Sequence, residues 1–140
     1  MNDPVECWED LMTRIKRVPE FVEKTYSVLS EGDLIAVLKL AKYPMAGVIY
    51  GGLAPGPGDA SRQGVACDFT CTILVIVEGG AVGGIDLKNE AVRLLKAVRE
   101  ETKRTRSPTM HMWRFRGEVP AGTIGNAVVY KQTWSTAIIT

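Results

Sequence analysis

The sequence predicts a single α+β domain, in which an antiparallel or mixed β-sheet is packed by an amphipathic helix, with an N-terminal helix and a long loop. Three observations predict this class. The chain has 140 residues, which fits one domain with one hydrophobic core. Apolar residues recur every three or four positions near the N-terminus and again around residue 95, as in helices, and they alternate along other segments, as in strands.

The composition is that of an ordinary globular protein and argues against several function classes. Hydrophobic residues make up 46% of the chain and charged residues 24%, and the formal net charge is +1. This balance provides no global field to attract nucleic acid or an anionic membrane. No apolar run approaches the ~20 residues that cross a bilayer, and the first residues do not resemble a signal peptide. We therefore expect the protein to act where it is made, without a membrane partner.

The three cysteines, Cys7, Cys67 and Cys71, are expected to be reduced and buried. Cys67 and Cys71 are four residues apart in a predicted strand, which separates them by about 13 Å at ~3.3 Å per residue. That separation is too large for a disulfide or a shared metal ion. We expect them to act as small hydrophobic residues.

The N-terminal segment is expected to be an amphipathic helix. Asp3 is a suitable N-cap and Pro4 a suitable first helical residue. Apolar residues follow at helical spacing, namely Val5, Trp8, Leu11, Met12, Ile15 and Val18. Pro19 should kink or end this helix. The apolar stripe then continues, which predicts more helix up to about Glu31 and a short helical piece over 33–41.

The middle of the chain predicts two strands joined by a long loop. Residues 44–51 should form the first strand, because the residue before Pro44 is forced into an extended conformation. Gly, Pro, Asp and Ser dominate residues 51–64, which indicates a surface loop of a length that is often functional. Residues 65–78 alternate as a strand, with one face formed by Cys67, Phe69, Cys71, Ile73, Val75 and Val77.

The last third of the chain predicts one helix and two strands. Asp86 should cap a helix that runs to about Arg106. Residues 110–116 alternate as a strand, residues 117–126 have the composition of a turn, and the remainder is expected to be a final strand. In that strand one face is formed by Val128, Tyr130, Gln132, Trp134, Thr136 and Ile138.

No catalytic, cofactor or metal site is expected. His111 is the only histidine, so a Cys-His dyad, a serine triad or a histidine metal cluster would need it, and no partner set is visible. The glycine-rich segments lack the Lys-Ser/Thr ending of a phosphate loop. The acidic pairs at 9–10 and 100–101 are adjacent residues, about 100° apart on a helix, so they cannot converge on one bond.

The order and size of these elements resemble the tail terminator proteins of long-tailed bacteriophages. The resemblance rests on the N-terminal helix, the Pro44-led strand, the 51–64 loop, the 65–78 strand, the 86–106 helix and the closing strand VVYKQTWSTAII. It implies a structural virion protein and not an enzyme. Such a protein forms a ring, typically of six subunits, that caps the tail tube, ends tube polymerisation and provides the joint to the head connector.

The resemblance also implies the partners and the location. The partners would be further copies of this chain, the tail tube protein and the connector or neck protein, with DNA passing through the ring without specific binding. The protein would be assembled in the host cytoplasm and reside in the tail or neck of the virion. Ring or tube contacts are expected from exposed polar residues of the long loop and the last hairpin, namely Asp59, Arg62, Gln63, Arg114, Arg116 and Glu118.

Two alternatives from other function classes stay open. The first is a small oligomeric enzyme or ligand-binding protein with a site at subunit boundaries, where Arg114 or Arg116 and the glycine-rich loop would grip a carboxylate. The second is an accessory nucleic-acid-binding protein. It would use the basic residues of the predicted long helix, namely Lys88, Arg93, Lys96, Arg99, Lys103 and Arg104.

Overall fold

A computed structural model describes residues 3–40, 42–55, 66–78, 84–124 and 127–139. Its elements are α1 (Pro4–Ile15), a 3-10 turn (Pro19–Phe21), β1 (Thr25–Val28), α2 (Glu31–Leu38), β2 (Met45–Pro55), β3 (Ala66–Glu78), α3 (Gly84–Thr102), β4 (Arg114–Ile124) and β5 (Ala127–Ile139). None of the described helices has the length and apolar composition needed to cross a membrane.

The strands form one five-stranded sheet in the order β1-β2-β3-β5-β4. β1 runs parallel to β2, and every other neighbouring pair is antiparallel. The central strand is β3, and the two edge strands are β1 and β4. The prediction of an α+β fold with a mixed sheet is therefore confirmed.

Each face of the sheet has its own hydrophobic core. On the helix face, α1 and α3 cover alternate residues of the strands, including Phe69, Ile73 and Trp134. On the opposite face, α2 covers only one end of the sheet, where Leu74 and Ile76 are buried. The strand face predicted for β3 is confirmed, and the second core explains why that strand is buried on both sides toward its end. We call the part of the second face beyond α2 the open face.

The predicted start of α1 is confirmed. The Asp3 carboxylate accepts a hydrogen bond from the Val5 amide at 2.9 Å, and Pro4 is the first helical residue. The buried residues Cys7, Leu11 and Ile15 follow at intervals of four. Their spacing places one stripe of α1 against the core of the helix face.

The prediction that helix continues past Pro19 to about Glu31 is wrong. After the short 3-10 turn, residues 25–28 form β1. Thr, Tyr and Val favour strands, and the Ala46 amide donates a hydrogen bond to the Lys24 carbonyl at 2.9 Å where β2 meets this segment. This tertiary pairing overrides the helical spacing of the apolar residues.

The short helix predicted after this segment is confirmed as α2, which begins and ends two to three residues earlier than the predicted range 33–41. Ser30 is its N-cap, and the hydroxyl accepts a hydrogen bond from the Asp33 amide at 3.2 Å. In turn, the Asp33 carboxylate accepts from the Leu29 amide at 3.1 Å. These two bonds fix the turn from β1 into α2.

Two strands are longer than predicted because glycines lie inside them. β2 continues to Pro55 through a register shift at which Gly52 has φ of 90°. β4 includes most of the segment predicted as a turn, and its two register shifts lie beside Gly117 and Gly122, with φ of 139° and 111°. Glycine adopts positive φ without strain, so it serves in bulges as well as in turns.

Three other predicted boundaries also change. β4 begins at Arg114, so the first half of the predicted strand 110–116 is not part of it. α3 begins at Gly84 and ends at Thr102, whereas Asp86 and Arg106 were expected. Residues 51–55 of the predicted loop belong to β2, and residues 56–64 lie outside the described part of the chain.

Candidate functional site: the edges and open face of the sheet

Arg114 and Arg116 lie on the open face, at the start of β4. Arg114 is opposite Ser135 of β5, and its side chain is exposed and forms no ion pair with any residue that the structure describes. The Arg116 Nε donates to the Ser135 hydroxyl at 2.7 Å, and its Nη2 is 3.8 Å from an oxygen of Asp68. Arg116 is therefore partly engaged within its own chain, whereas Arg114 has no partner among the residues that the structure describes.

Glu118 lies on the opposite, helix face. Its Oε1 accepts from the Arg99 guanidinium at 2.5 Å and from the Gln132 amide nitrogen at 2.8 Å. Because Arg99 belongs to α3, this carboxylate joins β4 to the helix layer. The three site residues predicted at the last hairpin are thus divided between two faces and do not form one cluster.

The other three predicted site residues, Asp59, Arg62 and Gln63, lie outside the residues that the structure describes. Their part in ring or tube contacts stays a prediction.

The open face is polar beside the arginines. Thr70 of β3 is directly opposite Ser135 of β5, and Thr72 is directly opposite Thr133. Ser135 is buried and the three threonines are half-buried. Cross-strand hydroxyl pairs of this kind stabilise an antiparallel pair. The result is a strip of hydroxyl groups next to the guanidinium of Arg116, and no apolar core formed by the described residues lies over it.

Both edges of the sheet carry exposed apolar side chains. Twelve large hydrophobic residues are exposed in the described part of the chain, and eight of them lie at the edges. Four lie in or beside β1 and α2, which we call the β1-edge patch: Val22, Leu29, Ile35 and Leu40. Four lie in β4 or just before it, the β4-edge patch: Met110, Met112, Phe115 and Val119. Large apolar side chains exposed along a sheet edge are candidate contact surfaces. In β4 they lie on both sides of the edge, because Phe115 is opposite Trp134 on the helix face and Val119 is opposite Lys131 on the other face.

Three of the six basic residues in α3 and the two positions after it form ion pairs within the described part of the chain. Arg93 pairs with Glu20 at 2.5 Å, Arg99 with Glu118 at 2.5 Å, and Lys103 with Glu100 at 2.8 Å. Carboxylates beside the cations reduce the attraction that this helix could exert on phosphate groups. The arrangement gives no specific support to nucleic-acid binding.

The groups that most often carry catalysis are dispersed. His111 is exposed in the turn before β4, and no cluster of three metal-ligating side chains occurs among the described residues. Burial raises the pKa of the Cys7 and Cys71 thiols, so neither is a ready nucleophile. The described residues therefore offer surfaces for contact and no evident reaction centre.

A buried polar network lies beneath the β4 edge, and the sequence pattern did not predict it. Gln132 is fully buried; its amide nitrogen also donates to the Leu95 carbonyl at 3.1 Å, and its amide oxygen accepts from the Trp134 indole at 2.5 Å. A glutamine on the apolar face of a predicted strand was the available signal, because a buried amide needs partners.

A second connection joins α1 to the segment before β4. One carboxylate oxygen of Asp10 accepts from Arg14 and from the Trp113 indole, both at 2.9 Å. Arg14 also donates to the carbonyls of Glu101 and Arg106. These bonds hold the end of α3 and the entry to β4 in place.

No protein-family model matches this sequence, and a search of curated proteins returned no significant match.

Proposed function

We propose that this protein is a structural subunit that assembles into a closed ring and caps the end of a phage tail tube. The observation that carries the proposal is the presence of two different apolar patches at opposite edges of one sheet. A ring needs a head-to-tail contact, in which one surface of each copy meets a different surface of the next. The β1-edge and β4-edge patches support the proposal because they are two different surfaces at opposite edges of the sheet.

The tube-capping part of the proposal rests on the resemblance in element order. A capping ring must bind copies of itself and the last ring of the tube, so it needs contact surfaces and no chemistry. In this proposal the open face, with Arg114 exposed and without an ion-pair partner among the described residues, serves the second contact. In this proposal the tail tube protein and the connector are the partners, and the protein resides in the tail or neck of the virion.

Native mass spectrometry and negative-stain images, recorded over a wide range of protein concentration, test the ring. We expect a closed ring with a central channel, and six copies from the resemblance. The Ile35→Asp and Val119→Asp variants each place a charge in one edge patch and should shift the protein to the monomer. Val92→Asp is the matched control, because Val92 is at least as exposed but lies on α3; it should leave the ring intact.

A second experiment tests the cap. Purified tail tubes that polymerise in vitro should stop growing when the ring is added, and particles should appear at one tube end. A protein that stays monomeric both alone and with tubes, or that leaves tube length unchanged, would refute the proposed function.

A further inference from the structure

We propose that neighbouring copies in the ring join edge to edge, with residues 25–28 of one copy pairing antiparallel to residues 117–120 of the next. The occupant of the β1 edge is thus a second copy of this chain. The inference rests on the proposed ring and adds the identity and register of its contact.

Residues 25–28 and residues 117–120 match in length and in their position along the strands. The register shifts in β4 lie between Phe115 and Gly117 and between Pro120 and Gly122, so four residues remain in regular pairing between them. β1 is also four residues long. An edge interrupted by bulges accepts a new strand only along its regular part.

The register across the sheet shows that these segments lie at the same height. Tyr26 is opposite Gly47, which is opposite Leu74; Leu74 is opposite Lys131, which is opposite Val119. The neighbouring rows likewise run from Val28 to Gly117, from Ser27 to Glu118 and from Thr25 to Pro120. A second copy placed beside the first therefore presents the one segment to the other without a shift along the strands.

The strand directions also fit. β1 is parallel to β2, and the three following pairs are each antiparallel. β4 consequently runs opposite to β1, so the new junction is antiparallel. Antiparallel pairs are slightly more stable per residue than parallel pairs.

The outer side of β1 carries backbone N–H and C=O groups that can form hydrogen bonds with another strand. Because the Ala46 amide donates to the Lys24 carbonyl, Lys24 and Tyr26 direct their backbone groups toward β2, and Thr25 and Ser27 direct theirs outward. Ser27 is exposed. In β4, Pro120 has no amide hydrogen to donate to β5, and prolines of edge strands keep that position on the outer side. The outward residues Ser27 and Glu118 then face each other as a hydrogen-bonded pair.

The side chains beside this junction are complementary. Val119, which is 47% exposed, would pack against the half-buried Tyr26 ring of the neighbour on the α2 side of the sheet. Arg114, which has no ion-pair partner among the described residues, is opposite Ser135, two β5 residues beyond the row that joins Val28 to Gly117. The exposed Asp33 carboxylate accepts from the amide of Leu29, the residue after Val28, so in the junction the two opposite charges would lie on the same side of that row. An apolar contact flanked by opposite charges favours this neighbour over an unrelated strand.

A disulfide between copies tests the register. Tyr26→Cys combined with Val119→Cys should give a ladder of cross-linked species that ends at the ring size on a non-reducing gel. Within one copy the two positions are four strands apart, roughly 19 Å at ~4.8 Å per strand, so an internal bond cannot form. Ser27→Cys combined with Val119→Cys is the control, because its two side chains lie on opposite faces of the sheet and should not cross-link.

A second pair covers the case in which the smaller residue at position 26 prevents folding. Ser27→Cys with Glu118→Cys lies on the helix face of the same junction and should also cross-link. Closed rings in images of the wild type, with neither matched pair cross-linked or with the control cross-linked equally, would overturn the edge junction and leave the ring standing. The absence of rings with and without tail tubes would instead overturn the proposed function.

Discussion

Replacing Gln132 by alanine should destabilise the fold strongly, because its buried amide has three hydrogen-bond partners. The substitution removes the donor to the Leu95 carbonyl and Glu118, and it removes the acceptor of the Trp134 indole. An unsatisfied buried donor costs about 1–3 kcal/mol, and the lost packing adds to this. We expect the free energy of unfolding to fall by about 3 kcal/mol, and the melting temperature to fall by roughly 10 °C at this chain length.

Urea unfolding followed by circular dichroism, at protein concentrations where the ring is dissociated, measures this change. Lys131→Ala is the matched control in the same strand; its side chain is exposed, so its effect should stay within about 0.5 kcal/mol. Gln132→Leu separates packing from hydrogen bonding, because it restores most of the volume but not the acceptor. A loss below about 1 kcal/mol in Gln132→Ala would refute the view that these bonds hold β4 to the helix layer.

Three further substitutions test the packing of β2 and the burial of the Cys71 thiol. A Cβ at Gly51 would lie 2.5 Å from the Thr70 carbonyl oxygen, whereas one at Gly47 meets only side chains at 3.5 Å and beyond. In thermal unfolding, Gly51→Ala should therefore lower the free energy of unfolding by about 2–3 kcal/mol, and Gly47→Ala by less than about 1 kcal/mol. Equal effects of the two substitutions would contradict this packing. Burial raises the pKa of the Cys71 thiol, so above about pH 8.5 the unfolded chain loses this proton while the folded protein keeps it. The free energy of unfolding is therefore unaffected by this group at lower pH and falls by about 1.4 kcal/mol per pH unit above that value. Stability curves of Cys71→Ala should be flatter by that slope between about pH 9 and pH 10.5, and parallel curves would show that the thiol is not protected.

The elements that sequence reasoning predicted correctly are those whose periodicity matches their burial. β3 alternates because α1 and α3 cover one of its faces. β1 was missed because it is a four-residue strand, too short to show a period, and its position depends on a tertiary pairing with β2. Local sequence carries no information about that pairing.

The candidate site was predicted less well, for a specific geometric reason. Simple alternation places Arg114, Arg116 and Glu118 on one face of a strand. The register shift between Phe115 and Gly117 inserts one extra residue. The extra residue reverses the alternation of side chains between the two faces of the sheet, so Glu118 points toward the helices. A bulge has no reliable signal in a single sequence, because its glycine also fits a turn.

The buried Gln132 amide has a consequence for misfolding. β5 begins with Ala127, Val128 and Val129, which are apolar on both sides, so burial alone discriminates weakly between β5 alignments displaced by two residues. Such a slip would carry the glutamine away from Leu95 and Glu118 and leave an unpaired amide in the core. One polar side chain thus distinguishes the native alignment from neighbouring ones by its hydrogen bonds, where apolar burial alone distinguishes them weakly.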